Sequence, residues 1–176
     1  MLRLHIGCGE VYIKDWINID FESSKADLKH DLRQPLPYEN NTVDLIYNEH
    51  FIEHLTAEEG VNFLKEMYRI LKPGGVIRIA TPDLDYLVIK YWFKWKKQDW
   101  IERYGYSHIE TKAEMMNAMF HYWGHKWLYN FEELKRRLIQ AEFRQIKRVN
   151  FKDSKNPDLQ NLETRKDSKL IVESRK

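Results

Sequence analysis

Short strand-like apolar runs alternate with helix-period runs along most of this chain, the pattern of a parallel sheet covered on both faces. Leu2 to Ile6 reads as the first strand and is stopped by Gly7-Cys8-Gly9. Trp16 to Asp20 reads as the second, Ala26 to Asp31 as a weaker third, and Val43 to Asn48 as a buried fourth whose one internal charge is Asp44. A helix then opens at Thr56, with Glu59 three residues on as a capping box. Its apolar positions, Val61, Leu64, Tyr68 and Leu71, recur at helical spacing. Pro73-Gly74-Gly75 ends it and Val76 to Ala80 is the fifth strand. Asn130 and Glu133 cap a later helix with Phe131, Leu134, Leu138 and Ala141 on one face. Phe143 to Phe151 and Lys169 to Glu173 are the last two strands. The expected fold is α/β, a doubly wound, mostly parallel sheet of seven strands.

Residues 84 to 127 interrupt the alternation with twelve aromatic residues, Trp92, Trp95, Trp100, Trp123 and Trp127 among them. Lys90, Lys94 and Lys97 share one helical face, so Asp83 to Lys97 is expected to be helical. With no linker and 176 residues, the chain is expected to be one domain, 1–176, carrying a helical insertion at 84–127. That insertion has three readings: rings filling a small core, a cap over a substrate pocket, or a homodimer interface.

Composition narrows the function classes. With 43% hydrophobic and 32% charged residues the chain is not of disordered type. A net charge of +2 is too small to imply a nucleic-acid partner. One cysteine, Cys8, excludes an internal disulfide and fits a reducing compartment. The start MLRLHIGCGE lacks the parts of a signal peptide, and no apolar run approaches the roughly 20 residues that span a bilayer. The expectation is a cytoplasmic protein without stable membrane insertion.

The glycine turn directly after the first strand lets a ligand approach the backbone. Asp20 ends the second strand, where open α/β sheets place a carboxylate for ribose hydroxyls. Dinucleotide sites put that acid about 20 residues beyond the glycines and add a third glycine for the pyrophosphate. Here Asp20 is only eleven residues past Gly9, and no glycine stands at the third position. This spacing suits a nucleoside cofactor without phosphate, such as S-adenosylmethionine (SAM).

Leu4-His-Ile-Gly-Cys-Gly9, Trp16-Ile-Asn-Ile-Asp20, Asp31-Leu32 with Leu36-Pro37, Val43-Asp-Leu-Ile46, Glu53-His-Leu55 and Arg69-Ile-Leu-Lys-Pro-Gly-Gly75 occur in this order. Together they resemble the class I SAM-dependent methyltransferases, which have a Rossmann-like fold. The chain is most similar to the compact group associated with cell-surface polysaccharide and lipopolysaccharide biosynthesis. The resemblance covers residues 2 to 85 densely and 121 to 174 more thinly. It implies that Gly7, Cys8 and Gly9 line the methionine part of SAM, that Asp20 holds the ribose, and that Asp31 and Leu32 flank the adenine. It also implies that Asn48 and Glu49 close the site beside the sulfonium. His5 stands where the family often carries an acid, at the SAM amino group. Only six residues separate Gly9 from Trp16, so the helix that usually follows the glycine turn is nearly absent.

Simpler readings compete at several positions. Asp20 and Asp31 could satisfy strand-end amides, and Cys8 reads as a small residue in a tight turn, not a nucleophile. His50-Phe-Ile-Glu-His54 matches the H-x-x-E-H pattern of inverted zinc peptidases, with Glu53 as general base. A zinc hydrolase is therefore the alternative enzyme, placed behind because the pattern directly follows a core strand; no metal is expected. A SAM-fold binding protein without catalysis is the other alternative. For methyl transfer to a small-molecule or saccharide acceptor, at a hydroxyl, a base near the methyl helps remove the proton. The candidates are His125 first, then Asp83 and His50, all in loops at the carboxyl ends of strands or in the insertion.

Overall fold

The computed structural model describes residues 1–176, apart from the side chain of Arg103. A seven-stranded sheet runs through it in the order β3-β2-β1-β4-β5-β7-β6. Its strands are β1 (Arg3–Ile6), β2 (Ile17–Asp20), β3 (Leu28–Lys29), β4 (Val43–Glu49), β5 (Leu71–Thr81), β6 (Arg144–Arg148) and β7 (Leu170–Arg175). The first five are parallel, and β7 enters antiparallel between β5 and β6. β5 begins five residues before the expected Val76. The Pro73-Gly74-Gly75 segment forms an irregularity within the strand, so Leu71 pairs with Val43 while Val76 pairs with Leu45.

One face of the sheet is covered by two amphipathic helices, α1 (Ala57–Ile70) and, later in the chain, α5 (Phe131–Gln140). Thr56 and Glu59 form both halves of a capping box on α1. Val61 is buried on α1, and Phe63, Leu64, Met67 and Ile70 pack with Leu134 and Leu138 of α5 over Leu4, Ile6, Ile46, Ile77 and Ile79. Asn130 caps α5 by accepting the Glu133 N–H.

The other face carries no long helix among the described residues. After the glycine turn the chain goes straight to β2, because the buried side chain of Asn18 ties that short connection down. Its Oδ1 accepts from the Ile13 N–H, and its Nδ2 donates to the Ile13 and Trp16 carbonyls. Cover comes instead from Trp16 and from the long connection between β6 and β7, whose Leu159 packs on Leu45, Tyr47, Val76, Ala80 and Ile171.

That connection is fastened by a charge. Arg78 of β5 is fully buried on this face. Its Nε donates to Glu163 and its Nη1 to Glu173 of β7 and to the Asp153 carbonyl, with Nη2 reaching the Asn150 carbonyl. Glu163 is itself fully buried and also accepts the Lys152 N–H.

The insertion forms α2 (Leu84–Trp92), α3 (Asp99–Arg103) and α4 (Lys112–His121). The expected helix to Lys97 stops at Trp92, since Phe93 is extended and Lys94 takes a positive φ of 50°. Asp83 caps α2 from outside it, accepting the Asp85 N–H. These helices share a small core of Leu87, Trp100, Ile101, Ile109, Met115, Ala118, Met119 and Leu128. Most of the core is aliphatic, while Trp92, Phe93, Tyr104, Tyr122, Trp123 and Trp127 stay exposed. No helix among the described residues is long and apolar enough to cross a membrane.

Removing one member of a buried ion pair strands the other charge at a cost of about 3–5 kcal/mol. Arg78→Met is therefore expected to lower unfolding free energy in urea by about that amount, and a loss under about 1 kcal/mol would mean that the pairing is energetically idle.

Candidate functional site

The glycine turn and the end of β2 form one hydrogen-bonded unit. Gly7 and Cys8 both donate N–H bonds to the Ile19 carbonyl, and Gly9 donates to Asp20 Oδ2 at 2.9 Å. Asp20 Oδ1 accepts from Glu22 and Ser23. Burial would raise the Asp20 pKa, but these N–H donors outweigh it and leave the carboxyl below its ordinary value. Gly7 (φ 65°) admits no side chain, because a Cβ would lie 2.6 Å from the Phe51 ring. Gly9 (φ 48°) faces open space, with nothing within 4 Å of where a Cβ would be. Ligand access to the turn is therefore at Gly9. Cys8 is buried, and desolvation pushes its thiol up to about 11, which suits a packing role and no nucleophile.

The other residues expected near a cofactor each have protein surroundings of their own. His5 is buried, stacks on Tyr47 and spends Nδ1 on Asn18 Oδ1, with burial lowering its pKa. Asp31 is held by Arg33 through paired side-chain bonds, which bring it down to about 2, and Leu32 joins the main core. Asn48 is fully buried with neither amide atom partnered. Glu49 turns to the β6–β7 connection, where its carboxylate accepts from the Thr164 N–H and hydroxyl, the Arg165 N–H and the Ser168 hydroxyl.

A cleft of about 490 Å³ opens where β4 and β5 leave the sheet, at His50 and Pro82. The insertion gives it Trp100, Tyr104, Tyr106, Met119, Trp123 and His125, and the β6–β7 connection gives it Arg165 and Asp167. Its polar wall is built on Glu53, which is completely buried and accepts the Thr81 hydroxyl on Oε2 at 2.9 Å. His50 Nδ1 lies 3.2 Å from Glu53 Oε1, off the line of a hydrogen bond, and its Nε2 meets the Ser168 hydroxyl at 3.1 Å. Burial pushes the Glu53 pKa up, but His50, His54 and His125 around it bring it down to about 2. Burial likewise opposes charge on His50, and Glu53 overcomes it, so that His50 titrates above its ordinary value. His125 is nearly buried, and desolvation lowers its pKa; its Nδ1 meets the Met119 carbonyl at 2.7 Å.

Of the three candidate bases, His125 and His50 line this cleft, while Asp83 does not. Its carboxylate is consumed by capping α2 and by Arg148. The peptidase pattern is not formed either. His50 (φ 52°) stands outside a single 3-10 turn, Ile52–His54, so the two histidines lack the α-helical register that H-x-x-E-H requires, and Glu53 is sealed from solvent. Thr81, Thr164, Arg165 and Ser168 are the participants that the sequence does not mark, because each is an ordinary residue brought in by distant packing.

The sheet order with its antiparallel β7 matches solved structures over 99% of this chain. A SAM-dependent methyltransferase from Archaeoglobus fulgidus superposes with a TM-score of 0.59 at 18% identity, over 85% of that chain. One from Thermotoga maritima gives 0.58 at 20% identity, over 82% of that chain. The fold is that of SAM-dependent methyltransferases. Residues 4–79 match the family described as "Methyltransferase domain". A curated relative from Mycolicibacterium smegmatis, described as a probable S-adenosylmethionine-dependent methyltransferase, is 31% identical over 98 residues. That similarity spans 46% of this chain and 37% of the relative's length. S-adenosylmethionine is the cofactor named for that relative.

The glycine turn fits SAM. Open space over Gly9 accepts a ligand against bare backbone. The Asp20 carboxylate, ionised and oriented by three N–H donors, has one of its roughly four lone-pair positions left for a ribose hydroxyl.

Glu49 is the pin between this edge and the β6–β7 connection. Glu49→Ala is expected to speed hydrogen exchange of the Thr164 and Arg165 amides by at least about tenfold, from loss of bonds to a charged acceptor worth about 1.5–3 kcal/mol. Unchanged exchange at both amides would show that the connection is held elsewhere.

Proposed function

We propose that this chain methylates a hydroxyl of a small, ring-bearing acceptor, a saccharide by preference, held in the aromatic cleft. The observation that carries the reading is the position of that cleft. It starts at the residues that follow β4 and β5, on the carboxyl edge that also carries Gly9 and Asp20, where open α/β sheets bind ligands. Bound SAM supplies an activated methyl group, so the protein's work is alignment and proximity. Gly9 would give the cofactor bare backbone and Asp20 would hold its ribose; Asp31 and Leu32 stand at the β3 end, where the adenine would lie.

The insertion, on this reading, is a cap within one methyltransferase domain. Tyr104, Tyr106 and Trp123 offer aromatic rings for stacking, while Arg165 and Asp167 offer charged hydrogen-bonding groups, a combination suited to a polyhydroxylated ring. His125, with Nδ1 donating to the Met119 carbonyl, presents Nε2 as the acceptor-side group. A role in surface-polysaccharide synthesis, from the family resemblance, and a cytoplasmic location, from the single cysteine, belong to this proposal. So does a homodimer through the aromatic insertion, where Val88, Ile89, Trp92 and Phe93 are exposed. Sedimentation at micromolar concentration should then give twice the monomer mass, and a monomer would leave the cap reading alone.

Calorimetry should find one SAM site per chain and no comparable binding of NAD. Asp20→Ala should weaken SAM by about 1.5–3 kcal/mol. His125→Ala should leave SAM affinity nearly unchanged while slowing transfer to a methylated product detected by mass spectrometry. Binding of NAD in place of SAM would overturn the proposal.

A further inference from the structure

The polar wall of the cleft carries more than a base. Glu53, His54 and His125 each offer one ligand-type atom, and these atoms lie within 4.8 Å of one another. Two imidazoles and one carboxylate form the ligand set that holds first-row divalent ions and leaves coordination positions for another molecule, and His54 and His125 line the cleft.

Three details make this a built site. Glu53 Oε1 is fully buried and makes no hydrogen bond, its cationic neighbour His50 Nδ1 standing off line at 3.2 Å, so lone pairs of this oxygen remain for a metal ion. Oε2 is fixed by the Thr81 hydroxyl, and His50 stands behind the carboxylate at 3.2 Å, a position from which a supporting group orients a ligand. His125 spends Nδ1 on the Met119 carbonyl at 2.7 Å, leaving Nε2 as the ligand atom, and histidine ligands nearly always have such a bond on the other nitrogen. The His54 and His125 rings stand edge to face with centroids 5.0 Å apart.

We infer that Glu53, His54 and His125 bind one divalent transition-metal ion whose open positions face the aromatic cleft. Ligand atoms around an ion with bonds of about 2.1 Å lie about 3–3.5 Å apart, so binding draws these side chains together by roughly an ångström. Imidazole nitrogens favour zinc, iron, cobalt or nickel over magnesium or calcium, which take oxygen ligands. The set differs from the H-x-x-E-H pattern, since His50 supports and His125, from the insertion, coordinates. What the ion does there rests on the methyl-transfer proposal: with His125 Nε2 bound to it and no longer free as a base, the ion would receive the acceptor oxygen and make its proton easier to lose. Its binding does not rest on that proposal.

Metal-free full-length protein titrated with Co2+, followed by cobalt's visible absorption, and with Zn2+, followed by calorimetry, provides the test. One ion per chain is expected. Glu53→Gln, His54→Ala and His125→Ala should each weaken binding by at least about tenfold, while His121→Ala, at an exposed histidine, should not. Ring-nitrogen NMR of the wild-type protein decides the matter even where a variant fails to fold, because one equivalent of Zn2+ should move the signals of two histidines. No binding of either ion, binding indifferent to His54 and His125, or shifts spread over many histidines would overturn the inference. Titration of the metal-free protein with SAM stands apart: its failure would sink the methyl-transfer proposal and leave the ion site intact.

Discussion

A buried guanidinium governs how this short chain closes its sheet. Arg78 sits in the interior strand β5 on a face that no long helix covers among the described residues, and its charge is tolerable only because Glu163 and Glu173 meet it there. Glu173 comes from the neighbouring strand, so its position follows from the sheet register, where Arg78 pairs with Glu173. Glu163 comes from the irregular connection between β6 and β7, and its pairing decides where that connection lies. Leu159 is then seated on Tyr47, Val76 and Ile171, and cover that helices would otherwise give is supplied by extended chain.

The same connection continues from Glu163 directly to the carboxyl edge. Thr164, Arg165 and Ser168 converge on Glu49, and Ser168 also meets His50. From there Arg165 and Asp167 reach the cleft, opposite the rings of the insertion. Core electrostatics and cleft geometry are thus joined through a few residues. The histidine wall depends on a second junction: Lys126 and Trp127 donate their N–H groups to the Glu53 carbonyl, which docks the end of the insertion beside the turn after β4.

What the sequence discloses is what neighbouring residues decide. The capping box of Thr56 and Glu59 is legible because both halves lie within four residues, and the strands β1 and β4 because apolar runs are bounded by turn residues. Gly9 and Asp20 are legible as a unit because their separation is fixed by one tight connection. The end of α2 at Trp92 is not, since Lys94 and Lys97 keep helical spacing although the backbone has turned away. Nor is the partner of Arg78: a single charge within Val76–Ala80 signals a buried pair, but Glu163 is 85 residues distant. Glu53 and His54 are readable only as half of a false pattern, because the residue that completes the cluster, His125, comes from the insertion. Glu49 reads as a cofactor neighbour, yet its four donors come from a connection with no periodicity to predict.

A crystal structure of the protein with S-adenosylhomocysteine tests the central claim most directly. The account predicts adenosyl density against Gly9, with the ribose hydroxyls at the Asp20 carboxylate and the sulfur directed toward the cleft at His50 and Pro82. Density for the ligand elsewhere on the molecule, or a saturated crystal with none along the β1–β2 edge, would contradict it.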